Sequence, residues 1–248
     1  MTVIKSPQEI TIMRQAGRIV AITLQRLREE IKPGIKTSHL DSVAARELQK
    51  YGAKGSFKGY RGFPACLCVS VNDEIVHGIP GERRLNDGDI VSLDFGAIVD
   101  GFHGDGAVTV GVGVISPEAK ELLSVTEAAL IVGIDAAHGG AHLGDVSAAI
   151  QNYVETRGFS VVREYSGHGV GRDLHEDPLV PNFGSPGEGP ILRRGMTFAL
   201  EPMVTVGDWR TRLAKNGWTV HTADGSLAAH FEHTIAISGD EAEILTLL

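Results

Sequence analysis

Asp94-Phe95-Gly96-Ala97-Ile98-Val99-Asp100-Gly101-Phe102-His103-Gly104-Asp105 begins with a carboxylate at the end of an apolar run, Ile90-Val91-Ser92-Leu93. Burying that carboxylate costs several kcal/mol unless something positive meets it. Asp100-Gly101 is a strong hairpin signal, because both central residues of a type I′ turn take positive φ and this pair tolerates it. The flanking runs then pair antiparallel around a two-residue loop. Opposed residues in such a hairpin have numbers of odd sum, and 94 and 105 sum to 199, so Asp94 and Asp105 share a face. Side chains opposed or diagonal on one face lie roughly 4.5 to 8 Å apart, which suits two carboxylates gripping metal ions roughly 3.5 to 4 Å apart. The stretch also reads as a plain hairpin with one capping and one surface aspartate, since Asp is common in turns.

Outward from the hairpin, composition sets bounds. A chain of 248 residues, 42% hydrophobic, can bury a sizeable core as one large domain or two small ones. The only cysteines, Cys66 and Cys68, stand at i, i+2 in an apparent strand and are expected to project side by side. With no signal-peptide pattern and no apolar run of membrane length, a cytoplasmic protein is expected. A net charge of −8 argues against a specific nucleic-acid binder, yet residues 1–61 hold twelve Lys and Arg against five Asp and Glu, +7, leaving −15 for the rest. This basic lobe reads as a set of solvated helix faces.

Ser6-Pro7-Gln8-Glu9 is a capping box with Pro at the first helical position. Ile10, Met13, Gly17, Val20, Leu24, Leu27 and Ile31 follow at helical spacing until Pro33-Gly34. A second helix is expected from Thr37-Ser38 to Tyr51-Gly52. Strands are expected over Ala65 to Val71 and Glu74 to Val76, and again from Gly104 to Val114. Ser116-Pro117-Glu118 opens a long helix through Leu122, Val125, Ala129 and Val132, and a shorter one is expected from Asp145 to Arg157, stopping at Gly158. The order of long helix, short helix and strands thus occurs twice, which predicts two similar halves, roughly 1–115 and 116–248, within one catalytic domain.

The second half holds further candidate ligands. Ser166-Gly167-His168-Gly169-Val170-Gly171-Arg172 sets a histidine among glycines, where backbone approaches a ligand closely. Thr197-Phe198-Ala199-Leu200-Glu201-Pro202-Met203 and His230-Phe231-Glu232-His233-Thr234-Ile235 each place a glutamate in or beside an apolar run. One buried Glu is usually paired with Arg or Lys; two of them, with two aspartates on one face and a glycine-flanked histidine, are harder to explain separately.

In these motifs the chain resembles type I methionine aminopeptidases, dimetal peptidases of the pita-bread fold, from its first helix to its last strand. The resemblance implies an α+β fold of two similar halves, an antiparallel sheet covered by helices and a dimetal site between them. It implies Asp94, Asp105, His168, Glu201 and Glu232 as the metal ligands, with Asp105 and Glu232 bridging, Asp94 on one ion and His168 with Glu201 on the other. The cofactor expected is two divalent ions, Co²⁺, Mn²⁺, Fe²⁺ or Zn²⁺, since four oxygens and one imidazole do not choose among them. Glu201, His77 and His175 are the implied catalytic residues, His175 facing the carbonyl oxygen and His77 the departing nitrogen. Tyr60, Phe63, Cys68 and Trp218 stand where the family lines its methionine pocket, while Phe57 replaces a smaller residue and Leu174 a larger one. His103, His221, His230 and His233 keep a structural reading.

The activity implied is removal of the initiator methionine from nascent chains when the next residue is small, by hydroxide attack on the peptide bond. A monomer is expected, with nascent amino termini as partner. Prolidase and aminopeptidase P share fold and ligands but usually carry a large extra amino-terminal domain. An iron oxygenase reading of His103-Gly104-Asp105 leaves Asp94, Glu201 and Glu232 without a role, and a non-catalytic relative of the fold is expected to have lost metal ligands.

Overall fold

Residues 2–248 are described by the computed structural model. Four α-helices lie among them, and their ends follow from capping chemistry. In α1 (Pro7–Glu30) the Ser6 hydroxyl accepts the Glu9 N–H, and the Glu9 carboxylate accepts the Ser6 N–H at 2.9 Å, so two orphan donors are satisfied reciprocally. Helix α2 (Thr37–Tyr51) stops at Gly52, whose φ of +65° suits the left-handed cap. Ser116 caps α3 (Pro117–Ala136) as Ser6 caps α1. By contrast α4 (Leu143–Glu155) starts two residues before the expected Asp145, because Asp145 is its third residue and reaches back to the His142 N–H at 2.7 Å.

One antiparallel sheet carries the candidate site. Its order is Lys54–Gly55, Ile90–Val99, Phe102–Gly111, Glu232–Ile237, Thr197–Leu200, Ser166–Gly169, Glu176–Pro181, and Cys68–Val71 also pairs with Ile90–Val99. The strand expected from Ala65 begins at Cys68, since the N–H groups of Cys66 and Leu67 donate instead to the α2 carboxylate Asp41 at 2.8 and 3.1 Å. Consequently Cys66 packs into the main core and Cys68 into a separate apolar cluster, and the two do not stand side by side. The strand expected to reach Val114 ends at Gly111, beyond which the Val112 N–H turns to the Asp89 carbonyl.

The hairpin loop has two residues, as read from Asp100-Gly101: Val99 opposes Phe102, with φ of +46° and +81° between them. Asp94 opposes Ala107, so Asp105 is its diagonal neighbour on the same face. The other face turns Leu93, Phe95 and Ala97 into the core, all fully buried, and α1 packs against it. Met13, Ala16, Gly17, Val20 and Leu27 form the buried stripe of that helix. Each large side chain in this layer contributes about 1.5 to 3 kcal/mol on burial. Helix and strand meet through glycine, because a Cβ on Gly104 would stand 2.7 Å from the Gly17 nitrogen and 2.9 Å from the Ala16 carbonyl carbon.

Around the outside, part of the basic lobe is answered locally: Arg26 reaches Glu29 and Glu30, Lys36 reaches Glu82, and Arg14 reaches Glu243. Among the described residues no helix is long and apolar enough to cross a membrane.

Gly104→Ala forces α1 and the hairpin apart, and overpacking of this kind costs about 1 to 3 kcal/mol. The expected result is a lower urea midpoint at unchanged m-value; a wild-type midpoint would show that the contact is not tight.

Candidate metal centre

Strand alternation brings the five sequence-predicted ligands to one face. Asp94 opposes Ala107, and Ala107 opposes Glu232, so these three form a row across adjacent strands. Asp105 lies two residues from Ala107 and therefore points the same way. His233 opposes Leu200; continued by one residue, that register sets Glu201 across from Glu232. Ala199, two residues before Glu201, opposes His168.

Ligand atoms of Asp105, His168 and Glu232 lie within 4.8 Å of one another, and all three residues are buried. His168 Nε2 is 3.4 Å from Glu201 Oε1. Its Nδ1 stands 2.8 Å from the Gly169 carbonyl oxygen, which places the proton on Nδ1 and leaves a lone pair on Nε2. Burial lowers this imidazole to about 4, so it is neutral near pH 7. Burial, reinforced by their carboxylate neighbours, pushes Asp94, Glu201 and Glu232 well above the ordinary range, and burial raises Asp105 to about 7. Asp94 Oδ1 and Glu232 Oε1 are buried without a hydrogen-bond partner. Unanswered carboxylate oxygens beside a neutral imidazole fit divalent cations, and with no thiolate in the set nothing selects a soft metal.

Two histidines border the cluster. The His175 ring centroid is 4.2 Å from that of His168, and its Nδ1 is 2.9 Å from the Tyr60 hydroxyl. His77 holds φ of +60°, a conformation that side chains rarely adopt, and its ring meets Tyr165 and Trp218 edge-on with centroids 6.1 and 6.5 Å away. Strain of this kind concentrates at functional sites. Beside them Phe63, Cys68 and Leu174 form an apolar cluster with Phe57 and Ala65, against which Tyr60, Ile79 and Trp218 pack. The five sequence-predicted pocket residues Tyr60, Phe63, Cys68, Leu174 and Trp218 are therefore together, and Phe57 packs with them.

Known proteins resemble this chain over its whole length. The profile of metallopeptidase family M24 matches residues 11–239. A methionine aminopeptidase of Clostridium perfringens is 52% identical over 248 residues, all of both chains. Methionine aminopeptidase 1 of Bacillus subtilis is 55% identical over 246 residues, 99% of each. Among solved structures, a methionine aminopeptidase from Thermotoga maritima superposes with a TM-score of 0.99 at 49% identity, covering 100% of both chains. A prolidase from Pyrococcus furiosus reaches 0.81 at 22% identity over 100% of this chain and 66% of its own, a likeness of fold.

The residue whose surroundings sequence reasoning did not foresee is His230. His103, His221 and His233 each have a polar partner, at 2.9, 2.9 and 2.8 Å from Nδ1. His230 is buried with neither ring nitrogen hydrogen-bonded, and its Nε2 lies 3.6 Å from Glu201 Oε2 and 3.9 Å from Glu232 Oε2. Its alternation with Glu232 was the available signal, obscured because lone histidines are usually structural. Replacing it with Leu removes the polar edge that faces both glutamates. Loss of such a supporting group typically costs about 10- to 100-fold in metal affinity, measurable by calorimetric titration with Mn²⁺, and unchanged affinity would return His230 to a packing role.

Proposed function

The chain belongs to metallopeptidase family M24, and from that premise we propose how its buried centre serves a methionine aminopeptidase. The enzyme removes methionine from the amino terminus of nascent proteins when the second residue is small. What carries the reading is the buried cluster of Asp105, His168 and Glu232 in a chain more than half identical, end to end, to methionine aminopeptidases.

Two divalent ions, from among Co²⁺, Mn²⁺, Fe²⁺ and Zn²⁺, are assigned to the cluster. Asp105 and Glu232 would span both, Asp94 would hold one, and His168 with Glu201 the other. Bound there, such ions supply Lewis acidity that lowers the pKa of a water and polarises a carbonyl. The remaining work falls to side chains. Glu201 accepts the proton of the attacking water and passes it toward the leaving amine. A Tyr60 O–H donating to Nδ1 of His175, 2.9 Å away, fixes the tautomer whose Nε2–H meets the carbonyl oxygen as it becomes an oxyanion; one such donor is worth about 3 to 4 kcal/mol. His77 is assigned to the departing amide nitrogen.

The cluster of Tyr60, Phe63, Cys68, Leu174 and Trp218 is read as the methionine pocket. A flexible thioether gains about 0.3 to 1.5 kcal/mol from each contact of sulfur with an aromatic ring. Phe57 adds bulk on one wall and Leu174 removes it on another, so pocket volume is nearly conserved while its shape changes. We place the enzyme in the cytoplasm as a monomeric single catalytic unit, with the basic lobe of residues 1–61 facing the ribosome. Co-sedimentation with ribosomes that fades as salt rises is the check on that docking.

The deciding experiment strips the protein with a chelator and restores each ion in turn, with release of methionine as the readout. Met-Ala-Ser should be cleaved at least tens of times faster than Met-Leu-Ser, because displacement of the scissile bond by about 1 Å costs on the order of 100-fold. Glu201→Gln should lower kcat by about 10²- to 10⁴-fold. Equal kcat/KM for the two peptides, or a prolyl peptide as the best substrate, would sink the substrate assignment; near-normal Glu201→Gln turnover at saturating metal would sink the role of Glu201.

A further inference from the structure

The residues before α1 make a buried ion pair that the metal chemistry does not use. Lys5 Nζ lies 2.5 Å from Glu176 Oε2, with side chains only 2% and 9% exposed. The segment that carries Lys5 is itself tied down, since the Lys5 N–H donates to the Gly195 carbonyl at 2.7 Å and Nζ also donates to the Val3 carbonyl at 3.3 Å. Removing one partner of such a pair leaves an uncompensated buried charge, so both are held firmly in place.

Glu176 directly follows His175. The strands Ser166–Gly169 and Glu176–Pro181 are adjacent, Gly169 opposing Glu176, and residues 170–175 form the excursion between them. The second carboxylate oxygen of Glu176 holds that excursion from inside, accepting the N–H groups of Arg172 and Asp173 at 2.9 and 3.4 Å. Gly171 passes so close that a Cβ there would collide with the Glu176 carboxylate and stand 2.8 Å from Lys5 Nζ. A further link runs from Arg172 to Glu9 of α1 at 3.3 Å. The turn that ends in His175 is therefore not held only by its own ladder. It is pinned to the amino-terminal segment through one buried carboxylate.

We propose that Lys5 and Glu176 are positioning residues for His175: the amino-terminal segment sets where the imidazole stands against His168 and Tyr60. This rests on the reading of His175 as the group that meets the developing oxyanion. An ammonium at Glu176 Oε2 holds the carboxylate where Oε1 can reach both backbone donors. Without it the carboxylate is drawn toward solvent and the turn relaxes with it. His175 is then displaced, while Asp105 and Glu232 stand on other strands and His168 is kept in place by its pairing with Ala199.

The test is a double-mutant cycle on the metal-loaded enzyme with Met-Ala-Ser as substrate. Lys5→Met should lower kcat by about 10- to 100-fold, leave KM and bound metal close to wild type, and be largely restored by Lys5→Arg. In a His175→Ala background the same Lys5→Met change should cost less than about twofold, because groups acting through one another are not additive. Glu176→Gln carries the same cycle should Lys5→Met not fold. Full kcat in Lys5→Met beside a damaged His175→Ala enzyme overturns the inference alone, as do additive losses, which mark a merely structural pair. Full kcat in His175→Ala overturns the role given to His175, and the inference with it.

Discussion

Four carboxylates on one largely buried face repel one another, and most of the architecture holds them there against that repulsion. Like charges about 4 Å apart repel by about 4 kcal/mol at an effective dielectric of 20. A fold that is stable by about 5 to 15 kcal/mol does not tolerate several such pairs. Protonation or cations must intervene, and the unpartnered oxygens of Asp94 and Glu232 favour cations. Metal binding is in this sense part of folding as well as of catalysis.

The sheet meets this demand by dividing its two faces. On one, Leu93 and Phe95 are buried beneath the amino-terminal helix, Gly104 meets its backbone and Gly106 its Val20 and Leu24 side chains. On the other lie the polar groups of both strands, His103, Asp105 and Thr109 of Phe102–Gly111 and Ser92 and Asp94 of Ile90–Val99. Register does the rest: the rows through Ala107 and Ala199 hand the same face from one strand to the next. A one-residue slip anywhere in that ladder would turn ligands into the core. Oxygen placement is thereby governed by the apolar layer behind it, while His77 and His175 reach the site from outside the ladder.

Local chemistry explains what could be read from sequence. Asp100-Gly101 specified its turn, and with it the shared face of Asp94 and Asp105, because a two-residue loop leaves no freedom of parity. Ser6-Pro7 and Ser116-Pro117 located two helix starts for the same reason. The ligand set and the pocket residues came instead from resemblance, since no periodicity links Asp94 to Glu232. What sequence did not disclose depends on contacts across the fold. Asp41 takes two N–H groups from the segment ahead of Cys68, His142 rather than Asp145 opens α4, and His230 faces glutamates on both sides of a break in the ladder. Lys5 and Glu176 are 171 residues apart, and nothing in either neighbourhood marks them as partners.

The ladder that unites the face also fixes an order of assembly. The edge of Phe102–Gly111 is covered by residues far along the chain, Glu232–Ile237 along the ladder and the Gly171 carbonyl at the His103 N–H, and α1 is closed from the far side by the segment after Ile237, with Gly17 against the Leu245 carbonyl and the Leu245 N–H on Thr234 at 2.8 Å. At about 5 to 20 residues per second, a ribosome takes on the order of ten seconds to travel from the hairpin to those residues. For that interval the nascent chain carries two aspartates without their glutamates and a bare strand edge that invites mispairing. An enzyme that trims other proteins at birth is thus inactive through most of its own.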